Sequence, residues 1–157
     1  MRAVSFLLTF VVVVLVIGPG RAEQPGSLLE TVVLPTTLTF DELLERTQNA
    51  VAASGMLVLC KASASQGAAA RGIKIPGNAV LMVFRNDYAI RMLQASVAAG
   101  FEAPIRLYVT ENGGGSATLT YRKPSTVFRP YGNEALDKMA IELDAVFDKI
   151  ASDAVHG

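Results

Sequence analysis

The chain has 157 residues, with 14 Lys and Arg against 14 Asp and Glu. That length suits one domain with its own core, and the lack of a basic excess speaks against a nucleic acid or an anionic membrane surface as partner. Cys60 is the single cysteine, so no internal disulfide can form and the core must hold the fold.

Apolar residues make up 51% of the chain, and the excess sits at the N-terminus. Met1-Arg2 gives a small positive start, Phe6–Ile17 is almost wholly apolar, and Gly20 and Ala22 are small residues at the −3 and −1 positions of a cut after Ala22. This is the pattern of a secretory signal peptide over residues 1–22. The apolar run is shorter than the roughly 20 residues a membrane span needs. The expected location is periplasmic or secreted, with no membrane contact after cleavage; an uncleaved N-terminal anchor is the alternative. Loss of residues 1–22 removes Arg2 and Arg21 and no acid, leaving 12 basic against 14 acidic residues, a charge of −2.

Residues 23–38 read as a linker and a first strand, Leu28–Leu34. Thr39-Phe40-Asp41-Glu42 has capping-box spacing and opens a helix with Phe40, Leu43, Leu44, Thr47 and Val51 on one face, stopped at Gly55. Met56–Cys60 is a second strand. The small-residue stretch Ala62–Gly72 holds at most a short helix over Ser65–Arg71. Ala79–Phe84 is a run of six apolar residues, expected to be the central strand and buried on both faces. Asn86 or Asp87 is expected to cap a helix over Tyr88–Ala99, with Ala89, Leu93, Ser96 and Val97 inward and Ile90 or Met92 flanking. Ile105–Thr110 alternates apolar and polar, as a half-buried strand does. Asn112-Gly113-Gly114-Gly115 is a hairpin turn returning as Ala117–Tyr121. Ser125–Gly132 reads as irregular. Asn133 caps a last helix to about Ser152, with Leu136, Met139, Leu143, Val146, Phe147 and Ile150 as its apolar stripe and residues 153–157 as a tail.

The order β-α-β-(α)-β-α-β-β-α predicts a single α+β two-layer sandwich over residues 39–152, with helices on one face of a mixed, largely antiparallel sheet. The other face is left wet or available for a homodimer.

No catalytic set stands out. The one histidine, His156, lies next to the C-terminus, and a Ser-His-Asp or Cys-His arrangement needs a positioned imidazole. One Cys and one His make no ordinary zinc site, and no cofactor is expected. Asp144, Asp148 and Asp153 read as a solvated face of the last helix. The triple glycine leads into a strand, not into a helix as a phosphate loop does. Cys60 is expected as a buried apolar residue, with a reactive thiol as the alternative. Arg85-Asn86-Asp87 is the best polar cluster, at the end of an apolar strand and the start of a helix where anions are favoured. Tyr108 and Tyr121 are the candidates to line a ligand pocket with it.

From Thr39 to Gly132 the chain resembles the bacterial family called Domain of Unknown Function 302, which has a TBP-like α+β fold. The resemblance is carried, in order, by Thr39–Leu44 with Ala50 and Gly55, Ala68–Ile73, Val83–Asp87, Met92-Leu93, Ala103–Leu107 and Tyr121–Pro124. Two departures stand out. Many members have Gly-Asn-Pro where this chain has Arg85-Asn86-Asp87, and many carry a histidine before the Ala-rich turn, where Ser63–Gly67 has none. The resemblance therefore implies a fold and transfers no histidine chemistry.

The expected function is non-catalytic binding of a small molecule or a protein partner by an exported domain, which could itself be a homodimer. Two alternatives stay open: a histidine-independent enzyme using carboxylate, Tyr or Arg groups near the end of the Ala79–Phe84 strand, and a redox-sensitive protein acting through Cys60.

Overall fold

A computed structural model describes residues 31–157. The expected leader, and the Leu28–Glu30 part of the first strand, lie outside the described residues. In chain order the elements are β1 (Thr31–Pro35), α1 (Phe40–Ala53), β2 (Leu57–Ala62), α2 (Ala64–Ala69), β3 (Asn78–Phe84), α3 (Asn86–Ala95), β4 (Ile105–Glu111), β5 (Ala117–Arg122), α4 (Pro124–Phe128) and α5 (Glu134–His156). Short 3₁₀ turns follow α3, at Ala98–Glu102, and α4, at Arg129–Tyr131. The five strands form one sheet in the order β1-β5-β4-β3-β2, antiparallel throughout rather than mixed. The α+β sandwich is as expected, but β4 is the middle strand and β3 lies one place from the edge.

The helix ends are specified locally. Thr39 N donates to Glu42 Oε2 (2.9 Å) while Thr39 Oγ1 accepts from Glu42 N, the expected capping box. The Thr39 N–H, and after it the Thr39 hydroxyl donating to the same Oε2, hold the Glu42 carboxyl below its ordinary pKa. Gly55 takes the left-handed conformation, φ +69°, that ends α1. Asn133 Oδ1 accepts from Ala135 N and Leu136 N at the start of α5, and its Nδ2 donates to Ala95 O, tying α5 to the end of α3. The i,i+4 pair Glu134–Lys138 forms at 2.7 Å. α5 runs on to His156, so the residues expected as a tail form its last turn.

One face of the sheet carries the core. Leu81, Val83, Leu107, Val109, Leu119 and Tyr121 point into the helix layer and meet Leu43 and Val51 of α1, Met92 of α3, Phe128 of α4, and the α5 stripe. That stripe is as read, with Val146 half-buried and Ala140, Ala151 and Ala154 added. The expectation that Ala79–Phe84 is covered on both faces is corrected. Burial alternates along β3, and Val80, Met82 and Phe84 are half-buried on the open side. An unbroken apolar run hides the period-two alternation, because an apolar residue on the open face looks the same in sequence as one in the core.

Three local expectations also change. α3 begins at Asn86 behind an N-cap at Arg85 with no side-chain cap, and it buries Tyr88 and Met92, whereas Leu93 and Val97 are exposed. The segment Ser125–Gly132 is mostly helical, with Pro124 at the first position of α4, where its missing N–H costs nothing. Cys60 is exposed. The cause is a register shift in β2 between Val58, opposite Val83, and Cys60, opposite Met82. A bulge reverses the alternation, so Cys60 joins Met82 on the open face instead of following Val58 into the core.

Adjacent residues of β4 separate the two faces energetically. Leu107→Ala, with no exposed surface in the native fold, is expected to lower unfolding free energy by about 2–5 kcal/mol. Tyr108→Ala, 41% exposed on the open side, should cost within about 1 kcal/mol. Urea unfolding followed by far-UV circular dichroism tests this; equal losses would contradict a one-sided core.

Candidate functional site

Antiparallel pairing places open-face side chains in rows. Cys60, Met82 and Arg106 stand side by side on β2, β3 and β4, and Arg122 and Thr31 pair on β5 and β1. The next row is Ala62, Val80, Tyr108, Thr120 and Val33. Because Leu107 pairs with Tyr121 and Tyr108 with Thr120, one further step of the ladder sets Arg106 opposite Arg122. Over these rows lies a groove of about 610 Å³, lined by Arg106, Tyr108, Thr120 and Arg122 and rimmed by Ser63 and Glu102. Ser63 caps α2 by accepting from Gln66 N (3.1 Å), so α2 forms part of the groove wall. Glu102 accepts a hydrogen bond from the Tyr131 hydroxyl (3.0 Å). Its carboxylate and burial hold the Tyr131 phenol above its ordinary pKa, burial being the larger cause.

The residues singled out from sequence do not converge. Arg85 and Asp87 pair with each other at 2.7 Å, and the Arg85 guanidinium stacks 4.3 Å from the centre of the Tyr88 ring. The pairing raises the Arg85 pKa and lowers that of Asp87. Asn86 is exposed on the first turn of α3. The hollow beside Arg85, walled by Tyr88, Met92 and Phe147, holds about 30 Å³, enough for roughly one water. Arg91 reaches the other way, forming a two-pronged pair with Glu142 of α5 at 2.7 and 2.8 Å, which raises the Arg91 pKa and lowers that of Glu142. Tyr121 points into the helix layer, against Phe147, and its hydroxyl donates to Asp148 Oδ1 at 2.6 Å. Tyr108 alone of the five lies on the open face, and Cys60 sits on the same face at the β2 edge.

Asp144 and Asp148, read as solvated, are both engaged. Asp144 Oδ1 accepts from Ser125 N (2.8 Å), fixing α4 to α5, and Asp148 holds Tyr121. Asp153 pairs with Lys149 as a surface residue. Among the described residues no group of three or more His, Cys, Asp or Glu is placed to hold a metal ion.

Arg106, Thr120 and Arg122 were not singled out from the sequence, yet the signal is present. Reflecting the chain about Gly114 in the hairpin places residue 106 opposite 122 and 108 opposite 120. Apolar alternation then puts all four on the side away from Leu107 and Leu119.

The fold is thus a five-stranded antiparallel sheet with helices on one face and a broad groove, part apolar and part polar, on the other. The chain belongs to the family described as Domain of unknown function DUF302, which matches residues 31–154. The crystal structure of an uncharacterized conserved DUF302 protein from Bacillus stearothermophilus has the same fold. Its TM-score is 0.68 at 19% identity, covering 82% of this chain and 97% of that one. No curated protein matches the chain.

The Tyr121 phenol is held well above its ordinary pKa, chiefly by burial and then by the bond to Asp148. A raised folded-state pKa favours the protonated form, so this contribution is complete below about pH 10 and is lost as pH rises beyond it. Tyr121→Phe is expected to lower stability at neutral pH by about 1–3 kcal/mol, through the lost bond to a charged group. It should also flatten the decline in stability as pH rises above about 10. Urea titrations across that range measure both; an unchanged alkaline slope would show that Tyr121 does not titrate with unfolding.

Proposed function

We propose that this is an exported, non-catalytic binding domain whose ligand surface is the open face of the sheet. The carrying observation is the contrast between the groove of about 610 Å³ and the hollow of about 30 Å³ beside Arg85. Groove volumes of several hundred Å³ suit small organic ligands. The titratable groups with perturbed pKa values join scaffold elements: Arg85 with Asp87, Arg91 with Glu142, Tyr121 with Asp148 and Tyr131 with Glu102. On the open face, Arg106, Tyr108, Thr120 and Arg122 have no such partner among the described residues. The leader-like N-terminus supports export.

A ligand from a broad panel of small metabolites should raise the melting temperature of the protein. Tyr108→Ala should abolish that shift while leaving the unliganded transition nearly unchanged. A monomeric protein that responds to no member of the panel removes the support for this reading.

The exposed edge of β2 favours a second reading, association with another copy. Leu57 and Leu59 are 59% and 56% exposed there, beside Cys60, and an uncovered apolar edge is a pairing surface. Light scattering after size exclusion should then report a dimer that Leu57→Lys with Leu59→Lys converts to monomer. Under oxidising conditions Cys60→Ser should remove any covalent dimer band from a non-reducing gel. A monomer at every concentration dismisses this second reading.

A further inference from the structure

We propose that the open face binds an organic oxyanion, a carboxylate or phosphate ester carrying a planar or ring-shaped body, clasped between Arg106 and Arg122 with the body over Tyr108. This rests on the open-face reading above and adds the ligand's chemical class.

The observations concern what these side chains do not touch. Among the described residues, Arg85 and Arg91 each have a carboxylate partner. Arg106 and Arg122 are exposed and form neither a salt bridge nor a side-chain hydrogen bond there. They stand opposite each other on neighbouring strands, a like-charge juxtaposition that is unfavourable on a sheet unless something negative lies between. The hydroxyls of Tyr108 and Thr120, a directly paired couple one row further on, likewise have no hydrogen-bond partner among the described residues. Asn78 differs: its side chain accepts from Ala64 N and donates to Pro76 O. Four adjacent residues therefore present unused donors to one groove.

Spacing sets the ligand's size. Neighbouring strands lie about 4.8 Å apart, and same-face residues along a strand about 6.8 Å apart. Two guanidinium forks at one end of such a block match the oxygens of a single carboxylate or phosphate. The aromatic face of Tyr108 and the Thr120 hydroxyl then meet the remainder of the molecule. Glu102, in the turn that leads into β4, accepts from Tyr131 and rims the groove toward the Arg106 end; its negative charge there disfavours a second anionic group beside the first, so the ligand carries a single anionic group. The net charge of the chain without its leader is −2, which makes this pair a local positive feature and not part of a basic surface for nucleic acid.

The test uses phenyl phosphate, benzoate and the neutral benzyl alcohol as probes. Each is titrated into ¹⁵N-labelled protein at low ionic strength, with sodium chloride at matched ionic strength as control. Phenyl phosphate or benzoate should shift the backbone resonances of Arg106, Tyr108, Thr120 and Arg122. Which of the two binds more tightly distinguishes phosphate esters from carboxylates, and benzyl alcohol should bind at least tenfold more weakly. Arg106→Gln with Arg122→Gln should weaken anion binding by about tenfold or more without lowering the melting temperature. Lys138→Gln with Lys149→Gln on α5 removes the same charge from the helix layer and should leave affinity unchanged. Salt should weaken binding progressively.

Failure of both anions to bind at millimolar concentration overturns the proposal, as does equal affinity in the Arg106/Arg122 double variant. If benzyl alcohol binds as well as the anions and shifts the same four residues, the anion assignment fails while the open-face reading stands. If all probes shift residues of the helix layer instead, both fail.

Discussion

The structure depends on one-sided burial of an antiparallel sheet. α1 links β1 at one edge to β2 at the other, and α5 lies along the same face, so the helix layer spans all five strands. Every strand must then direct alternate residues into that layer. Leu81, Leu107 and Leu119, each without exposed surface, lock the neighbouring strands in register, since a slip of one residue turns the whole apolar set outward. The same lock fixes the opposite set. Arg106, Tyr108, Thr120 and Arg122 hold their relative positions because the residues between them are packed. A surface of this kind is preorganised without any contact among its own side chains, and preorganisation reduces the ordering cost of binding.

Charge is distributed in keeping with that division. On the helix side, ionic and phenolic groups act as fasteners. Arg91 joins α3 to α5, Tyr121 joins β5 to α5, and Asp144 joins α5 to the start of α4. Tyr88 lies between the Arg85 and Arg91 guanidinium groups, 4.3 and 5.5 Å from its ring centre, which orients both cations as well as burying the ring. These contacts account for the strongest electrostatic perturbations on the helix side. Asp144 and Asp148 on α5 thus serve as fasteners of α4 and β5.

Legibility followed from how far each signal depends on tertiary context. The Thr39–Glu42 box, the Asn112–Gly115 hairpin and the α5 stripe are local, and all three formed as read. The α3 stripe was misplaced because the short helix ends at Ala95, and a 3₁₀ turn, not a further α turn, carries Val97 into solvent. Cys60 was misread because one bulged residue reverses facing, and no residue type in Val58-Leu59-Cys60 marks it. The apolar run Ala79–Phe84 named the strand correctly but concealed its exposed face. Conversely, the row of Arg106 and Arg122 was readable from the hairpin's symmetry, but it required combining two strands, whereas Arg85-Asn86-Asp87 attracted notice as a contiguous triplet.

In that triplet, Arg85 forms the N-cap of α3, bound to Asp87 and stacked on Tyr88. At 19% identity the Bacillus stearothermophilus structure still shares this fold, and the one-sided sheet explains how. Core packing demands only apolar residues of suitable volume at alternate positions, and it leaves the open-face positions unspecified. Membership of the family therefore fixes the frame on which Arg106, Tyr108, Thr120 and Arg122 stand. Core packing does not specify these four side chains, so they can be exchanged with little cost to the fold.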